Sequence, residues 1–235
     1  MFADGKSNAP RGCLWTSQIL EPLVWIKAFL EQTAGSLHRT FLVSSHYNRG
    51  DKIVVYVDAS PWGIGGWILV NGRPLGYFAD GINDMDRAVL SLSDEPGSES
   101  QQALEALAML VALRLWLPQW KQQRVVVTVR GDNMSALSMV AKMQPKSPAL
   151  AIIARELALD IAAASYSPDF MEHVPGIANV IADTLSRKHQ PAKVYQLPLL
   201  LRNVTEHSVG SRDQDWWLSL RGRQQAMGSS GATSA

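Results

Sequence analysis

The sequence predicts an α/β domain built on one mixed sheet with helices packed against it. Three observations carry that expectation. Ile53-Val54-Val55-Tyr56-Val57 is a β-branched run ended by Asp58-Ala59-Ser60-Pro61, the pattern of a buried strand. Asn71-Gly72 follows a second apolar run, Trp67-Ile68-Leu69-Val70, and is a strong hairpin signal. Beyond residue 100, strand-like runs alternate with helical stretches. Strands reached through helices are parallel as a rule.

The elements follow in order. From Leu14 to Leu37 apolar residues recur at helical spacing, among them Leu20, Leu23, Val24, Ile26, Phe29 and Leu30. Pro22 fits a first turn and Gly35 ends the pattern. After the first two strands, Pro74–Ala79 predicts a third. Residues 80–98 are polar, contain Pro96-Gly97, and read as a loop. Ser100–Leu117 reads as a long helix closed by Pro118. Arg124–Val129 is a fourth strand. Met134–Met143 and Pro148–Ser165 read as two helices, Phe170–Val174 as a fifth strand, and a last helix runs to about Lys188. The chain thus divides into a disordered N-terminus (1–13), a helical segment (14–50), the α/β domain (51–188), a C-terminal extension (189–220) and a disordered tail (221–235). Whether Trp216-Trp217 packs on the domain is left open.

Composition narrows the function. The chain has 235 residues, 46% of them apolar and 18% charged. That is enough apolar material for a sizeable core, with fewer charges than the usual quarter or so. Lys plus Arg is 22 and Asp plus Glu is 21, for a net charge of +1. A mainly electrostatic nucleic-acid binder would be strongly basic. The single Cys13 excludes an intrachain disulfide and any multi-cysteine zinc site. No secretory h-region stands at the N-terminus. The longest apolar run, Ala106–Leu113, is too short to span a membrane. An intracellular protein is expected, in the cytoplasm, nucleus or a particle.

The chemistry gathers on carboxylates. Ile53–Val57 ends in Asp58, and Val125–Val129 is followed closely by Asp132. On neighbouring parallel strands these would emerge at the same sheet end, where α/β ligand sites sit. A plain turn role is the alternative for each. Glu105 lies in a helix that is apolar nearly all round, where an uncompensated charge is costly. The alternative is a helix-end carboxylate that reaches solvent. Asp183 follows Asn179 in the last helix, where capping alone could account for both. Together the four suggest hard-oxygen ligation of a divalent ion. Gly63-Ile64-Gly65-Gly66 leads into a strand, so it is not a dinucleotide loop. No P-loop is present, and the five histidines are scattered.

In that order, Val57-Asp58-Ala59-Ser60-Pro61-Trp62-Gly63-Ile64-Gly65-Gly66, Glu105 in its Ala-rich helix, Gly131-Asp132-Asn133-Met134-Ser135-Ala136, and His173-Val174-Pro175-Gly176 through Asn179 and Asp183 to Leu185-Ser186-Arg187 resemble the ribonuclease H domain of retrotransposon reverse transcriptases, Gypsy-like or DIRS-like. The resemblance covers about residues 51–188. Residues 14–45 resemble the connection that follows the polymerase in these elements. It implies a ribonuclease H-like fold, a five-stranded mixed sheet flanked by helices. It implies endonucleolytic cleavage of the RNA strand of RNA–DNA hybrids with two Mg²⁺ or Mn²⁺ ions. It also implies Asp58, Glu105, Asp132 and Asp183 as catalytic metal ligands, Glu105 being preferred over the nearby Glu95 and Glu99. The hybrid is the expected partner, together with a polymerase domain of a larger polyprotein that this chain lacks; no membrane partner is expected. Ser60, Asn133 and Asn179 stand near the ligands as candidates for substrate contact, with turn formation and capping as the alternative.

Three departures qualify the match. No His follows Gly176, where many ribonucleases H carry one. The turn near Met143–Pro148 offers only Lys142 and Lys146 as cations. The chain has no Asp-Asp dipeptide, so the polymerase signature is missing. A non-catalytic connection or nucleic-acid-binding module descended from such a domain is therefore the rival reading. Another nuclease or transposase on the same fold is the third.

Overall fold

The computed structural model describes residues 16–32, 51–92, 97–120, 126–133, 147–163, 167–175 and 179–218, with positions 136, 138, 142 and 145. The two tails expected to be disordered lie outside the described residues, as does most of the helix expected over Met134–Met143. The first helix, α1 (Thr16–Leu30), ends at Leu30, and the rest of the 14–50 segment beyond residue 32 is likewise outside them.

The expected five-stranded mixed sheet is present. β1 (Lys52–Ser60), β2 (Gly63–Val70) and β3 (Arg73–Gly81) form an antiparallel meander. The β2–β3 turn holds Asn71 at φ 51° and Gly72 at φ 80°, the two positive values a tight hairpin of this hand requires. β4 (Val126–Gly131) lies parallel to β1, and β5 (Ser167–His173) lies parallel to β4. A two-residue strand, β6 (Thr205–Glu206), adds to the free edge of β3. The sheet order is β5-β4-β1-β2-β3-β6. The sixth strand comes from the C-terminal extension and covers an edge that would otherwise be open to pairing.

Two stretches differ from their sequence reading. Residues 80–98 contain a helix, α2 (Asp84–Leu90), rather than loop throughout. Asn83 caps it: its side chain accepts from the Asp86 N–H at 2.7 Å, and Asp86 returns the bond to the Asn83 N–H. Seven residues are too few for apolar periodicity to register. The long helix, α3 (Ser98–Trp120), runs through Pro118 instead of ending before it. Trp116 and Trp120 are fully buried, and that burial holds the last turn despite the missing N–H.

One face of the sheet packs on α3, and α3 in turn packs on α4 (Pro148–Ala163). Every residue of α3 from Ala103 to Leu113 is buried, Glu105 included. Trp217 is buried in the same cluster, so the C-terminal extension belongs to the core. The other face carries a smaller cluster. There Trp67 and Tyr77 meet Ala182 and Leu185 of α5 (Val180–Ser186), along with Leu201. A Cβ on Gly65 would stand 2.5 Å from the Leu185 Cβ and from the Ser186 backbone nitrogen. The glycines that open β2, Gly63 and Gly65, let α5 lie directly on the strand.

Candidate metal centre

Register brings the first two carboxylates together. Tyr56 of β1 pairs with Arg130 of β4 in the parallel ladder. Asp58, two residues further along β1, and Asp132, just past the end of β4, therefore emerge side by side at one sheet end. α3 crosses above β1 and supplies Glu105. One carboxylate oxygen from each of Asp58, Glu105 and Asp132 lies within 4.8 Å of the others. Glu105 is 2% exposed and Asp58 4%; Asp132 is half-buried. The alternative readings, a turn residue for Asp58 and a solvent-reaching helix end for Glu105, do not survive that burial.

Neutral donors orient the cluster. Gln101, one helical turn before Glu105, donates from Nε2 to Glu105 Oε1 at 2.9 Å and to the Ala59 carbonyl at 2.8 Å. That pair of bonds fixes α3 on the end of β1. The Ser186 hydroxyl lies 2.6 Å from Asp58 Oδ2 as donor, and 2.9 Å from the Asp183 carbonyl. Ser60 returns the brace by donating to the Ser186 carbonyl at 2.8 Å. Glu105 Oε2 is buried with no hydrogen-bond partner.

The electrostatics follow. Burial pushes the Asp58 carboxyl up to about 7. The Ser186 hydrogen bond opposes that rise, and Asp132 and Asp183 add to it. Burial also raises Glu105 well above the ordinary carboxylate range, with Asp58 and Asp132 raising it further. Among the described residues, none of the three forms an ion pair with Lys or Arg. Three converging hard-oxygen donors, two of them buried and one with an unpartnered atom, fit a divalent cation, whose charge would relieve the repulsion.

The other candidates are placed differently. Asp183 stands outside the three-carboxylate group and pairs with Arg187, Nε to Oδ1, at 2.6 Å. Asn179 does not cap α5. Its φ −93° and ψ 24° leave the extended geometry a capping side chain needs, and no such bond forms. Its Nδ2 instead donates to the Val57 carbonyl at 2.9 Å, and its Oδ1 is buried without a partner. Ser60 and Asn179, expected to face substrate, are both buried and brace backbone at the end of β1. Asn133 accepts from the Ala136 N–H at 3.0 Å. Sequence reasoning missed Gln101, Ser186 and Arg187. The Gln101–Glu105 spacing of four was a readable helical signal, whereas the Ser186–Asp58 contact spans 128 residues and leaves no local trace.

Sheet order and site together define an α/β domain with an acidic cluster at the end of two adjacent parallel strands. No family model and no curated protein matches the sequence. Among solved structures, the chain is similar to an RNase H1 isolated from compost by a metagenomic approach. That pair shares 19% identity at a TM-score of 0.41, over 60% of this chain and 96% of the other. It is also similar to the RNase H1 of the halophilic archaeon Halobacterium salinarum NRC-1. There the identity is 17% and the TM-score 0.41, over 57% of this chain and 93% of that one.

Proposed function

We propose that residues 51–188 are a metal-dependent ribonuclease H-type endonuclease that cleaves the RNA strand of RNA–DNA hybrids. The domain would work as part of a retroelement reverse transcriptase whose polymerase lies outside this chain. The observation that carries the reading is the convergence of Asp58, Glu105 and Asp132 with an unpartnered, buried Glu105 Oε2. The ordered motifs around them, from Val57-Asp58 to Leu185-Ser186-Arg187, add the family resemblance.

Asp58, Glu105 and Asp132 would hold Mg²⁺ or Mn²⁺, with Asp183 the fourth ligand when a second ion is present. Bound divalent ions lower the pKa of a water and neutralise charge that develops on the phosphate. The chain's own part is preorganisation. Gln101 holds Glu105 by one oxygen and leaves the other to a ligand. Ser186 holds Asp58 through its Oδ2, and Ser60 keeps Ser186 in place. Asn133, at the mouth of the site, is our candidate for contact with the 2′-hydroxyls that mark RNA.

The test is an end-labelled RNA–DNA hybrid incubated with the chain and Mg²⁺ or Mn²⁺. Wild type should cut the RNA strand and leave duplex DNA intact, and Asp132→Asn should lose at least about 10³-fold in rate, the several kcal/mol a metal site supplies. Equal cleavage by Asp132→Asn would remove the site assignment. No cleavage by folded wild type with either metal would favour the non-catalytic module.

A further inference from the structure

Asp183 is the one predicted ligand that does not join the cluster, and the reason is visible beside it. Arg187 lies one turn further along α5 and takes the Asp183 Oδ1 with its Nε at 2.6 Å. The guanidinium also sits over the ring of Trp62, 5.8 Å from its centroid. Trp62 belongs to the β1–β2 turn, just beyond Asp58 and Ser60. The cation is thus held between an aromatic face and a carboxylate at the edge of the acidic cluster. Ser186 ties that helix to the cluster: its hydroxyl donates to Asp58 Oδ2 at 2.6 Å and lies 2.9 Å from the Asp183 carbonyl.

The pair is also weak enough to open. Arg187 and Asp183 side chains are 35% and 39% exposed. Exposed pairs at this spacing are worth only a few-fold in an equilibrium. The Arg114–Glu156, Arg114–Asp160 and Arg212–Asp86 pairs elsewhere in the chain are far more buried. A divalent cation arriving beside Asp183 can displace such a partner, whereas it could not displace a buried one.

We infer that Arg187 is a positioning residue that holds Asp183 away from the Asp58–Glu105–Asp132 cluster and yields it only to an incoming divalent cation. The inference rests on the nuclease reading of that cluster. It makes the site asymmetric. The three convergent carboxylates form a standing site, and the Asp183 side is conditional, because its ligand must first leave an internal cation. Opening the pair frees the guanidinium, still backed by Trp62, to meet an anionic group on a bound substrate.

Calorimetric titration with Mn²⁺ alone, without nucleic acid, tests this apart from activity. Arg187→Gln should tighten Mn²⁺ binding by roughly two- to five-fold, the strength of the lost competitor. Arg187→Lys, which keeps a cation, should stay near wild type. In an Asp183→Asn background the Arg187→Gln effect should vanish, since the two residues act as one unit. An equal gain in both backgrounds would mean that Arg187 acts on the cluster directly and would overturn the inference. No gain in either would do the same, while leaving the nuclease reading in place. Failure of wild type to bind Mn²⁺ at all would sink both. Thermal unfolding of each variant separates these outcomes from loss of fold.

Discussion

The two halves of α3 treat buried acids in opposite ways. Near its start, Glu105 faces Asp58 and Asp132 with no ion pair among the described residues, and one of its oxygens has no partner. Nine residues on, Arg114 reaches from α3 to two acids of α4. It donates to Glu156 at 2.6 Å and to Asp160 at 2.7 Å. Glu156 also accepts from the Leu218 N–H at 2.9 Å, and Arg114 donates to the Trp216 carbonyl at 2.9 Å. A third cluster repeats the second pattern: Arg212, 1% exposed, binds Asp86, Asp80 and the Gly81 carbonyl. Where a buried carboxylate serves architecture, the chain provides its cation. Under the proposed metal site, the acids at the start of α3 are left for a cation from outside, and without it their mutual repulsion stands.

That contrast can be broken most forcefully at Arg212. Arg212→Met leaves Asp86 buried without its partner and should cost about 3–5 kcal/mol of stability, the usual penalty for half of a buried pair. Urea unfolding measures it; wild-type stability would show that the architectural pairs are dispensable. Next in size is a pH effect. Asp58 titrates at about 7 in the folded chain and near 3.9 when unfolded, so the native state holds the proton longer. In EDTA its contribution to stability is fully present below about pH 4 and is lost as pH rises to about 7. The loss is roughly 2–4 kcal/mol across that window. Asp160, raised to about 6, adds a slope of the same sign at its lower end. Subtracting the profile of Asp58→Asn reads the Asp58 part together with its effect on Glu105, which Asp58 raises, and identical profiles would contradict the assignment.

Third, excess Mn²⁺ should stabilise wild type by about 2.7 kcal/mol at a hundred times the dissociation constant, and do so far less in Asp132→Asn. A thermal-shift series reads this directly. The smallest effect is the most pointed. In EDTA, Glu105→Gln should raise stability by about 1 kcal/mol, as relief of repulsion among clustered carboxylates commonly does. Glu156→Gln should lower it, because Arg114 then loses a buried partner. The same sign for both would erase the distinction between the two halves of α3.

Much of the fold was legible because its signals are local. β-branched runs and Asn71-Gly72 announce β1, β2 and their turns, and the placement of Asp58 and Asp132 just past two such runs announced their meeting. Glu105 was legible for a different reason: a carboxylate amid eleven buried positions of one helix needs an explanation. Three things were not legible. α2 is too short for periodicity, although Asn83 and Asp86 carry a capping signature in hindsight. The braces on the site, Ser60 to Ser186 and Ser186 to Asp58, join residues more than 120 positions apart. Asp183 reads as a ligand by resemblance; its spacing of four from Arg187 allowed their pairing, but nothing in the sequence says that Asp183 then stays outside the three-carboxylate group. The sheet follows from patterns within each segment, whereas the braces depend on how segments close on one another.

The seat of Arg212 and Trp217 within the domain has a consequence for the order in which the protein can be made. Asp86 meets Arg212 only 126 residues later, and Trp217 joins a cluster whose other members, from Ile53 to Leu157, precede it by at least 60 positions. At ribosomal speeds of about 5–20 residues per second, some 6–25 s separate the two halves of the Asp86 pair. Throughout that interval the meander and α3 are present while their closing pieces are not. The nascent chain thus carries an apolar face and an unpaired acid that only Arg212 and Trp217 can cover. Such high contact order slows folding and makes the completion of this domain wait for residues 212–217 rather than for its central motifs.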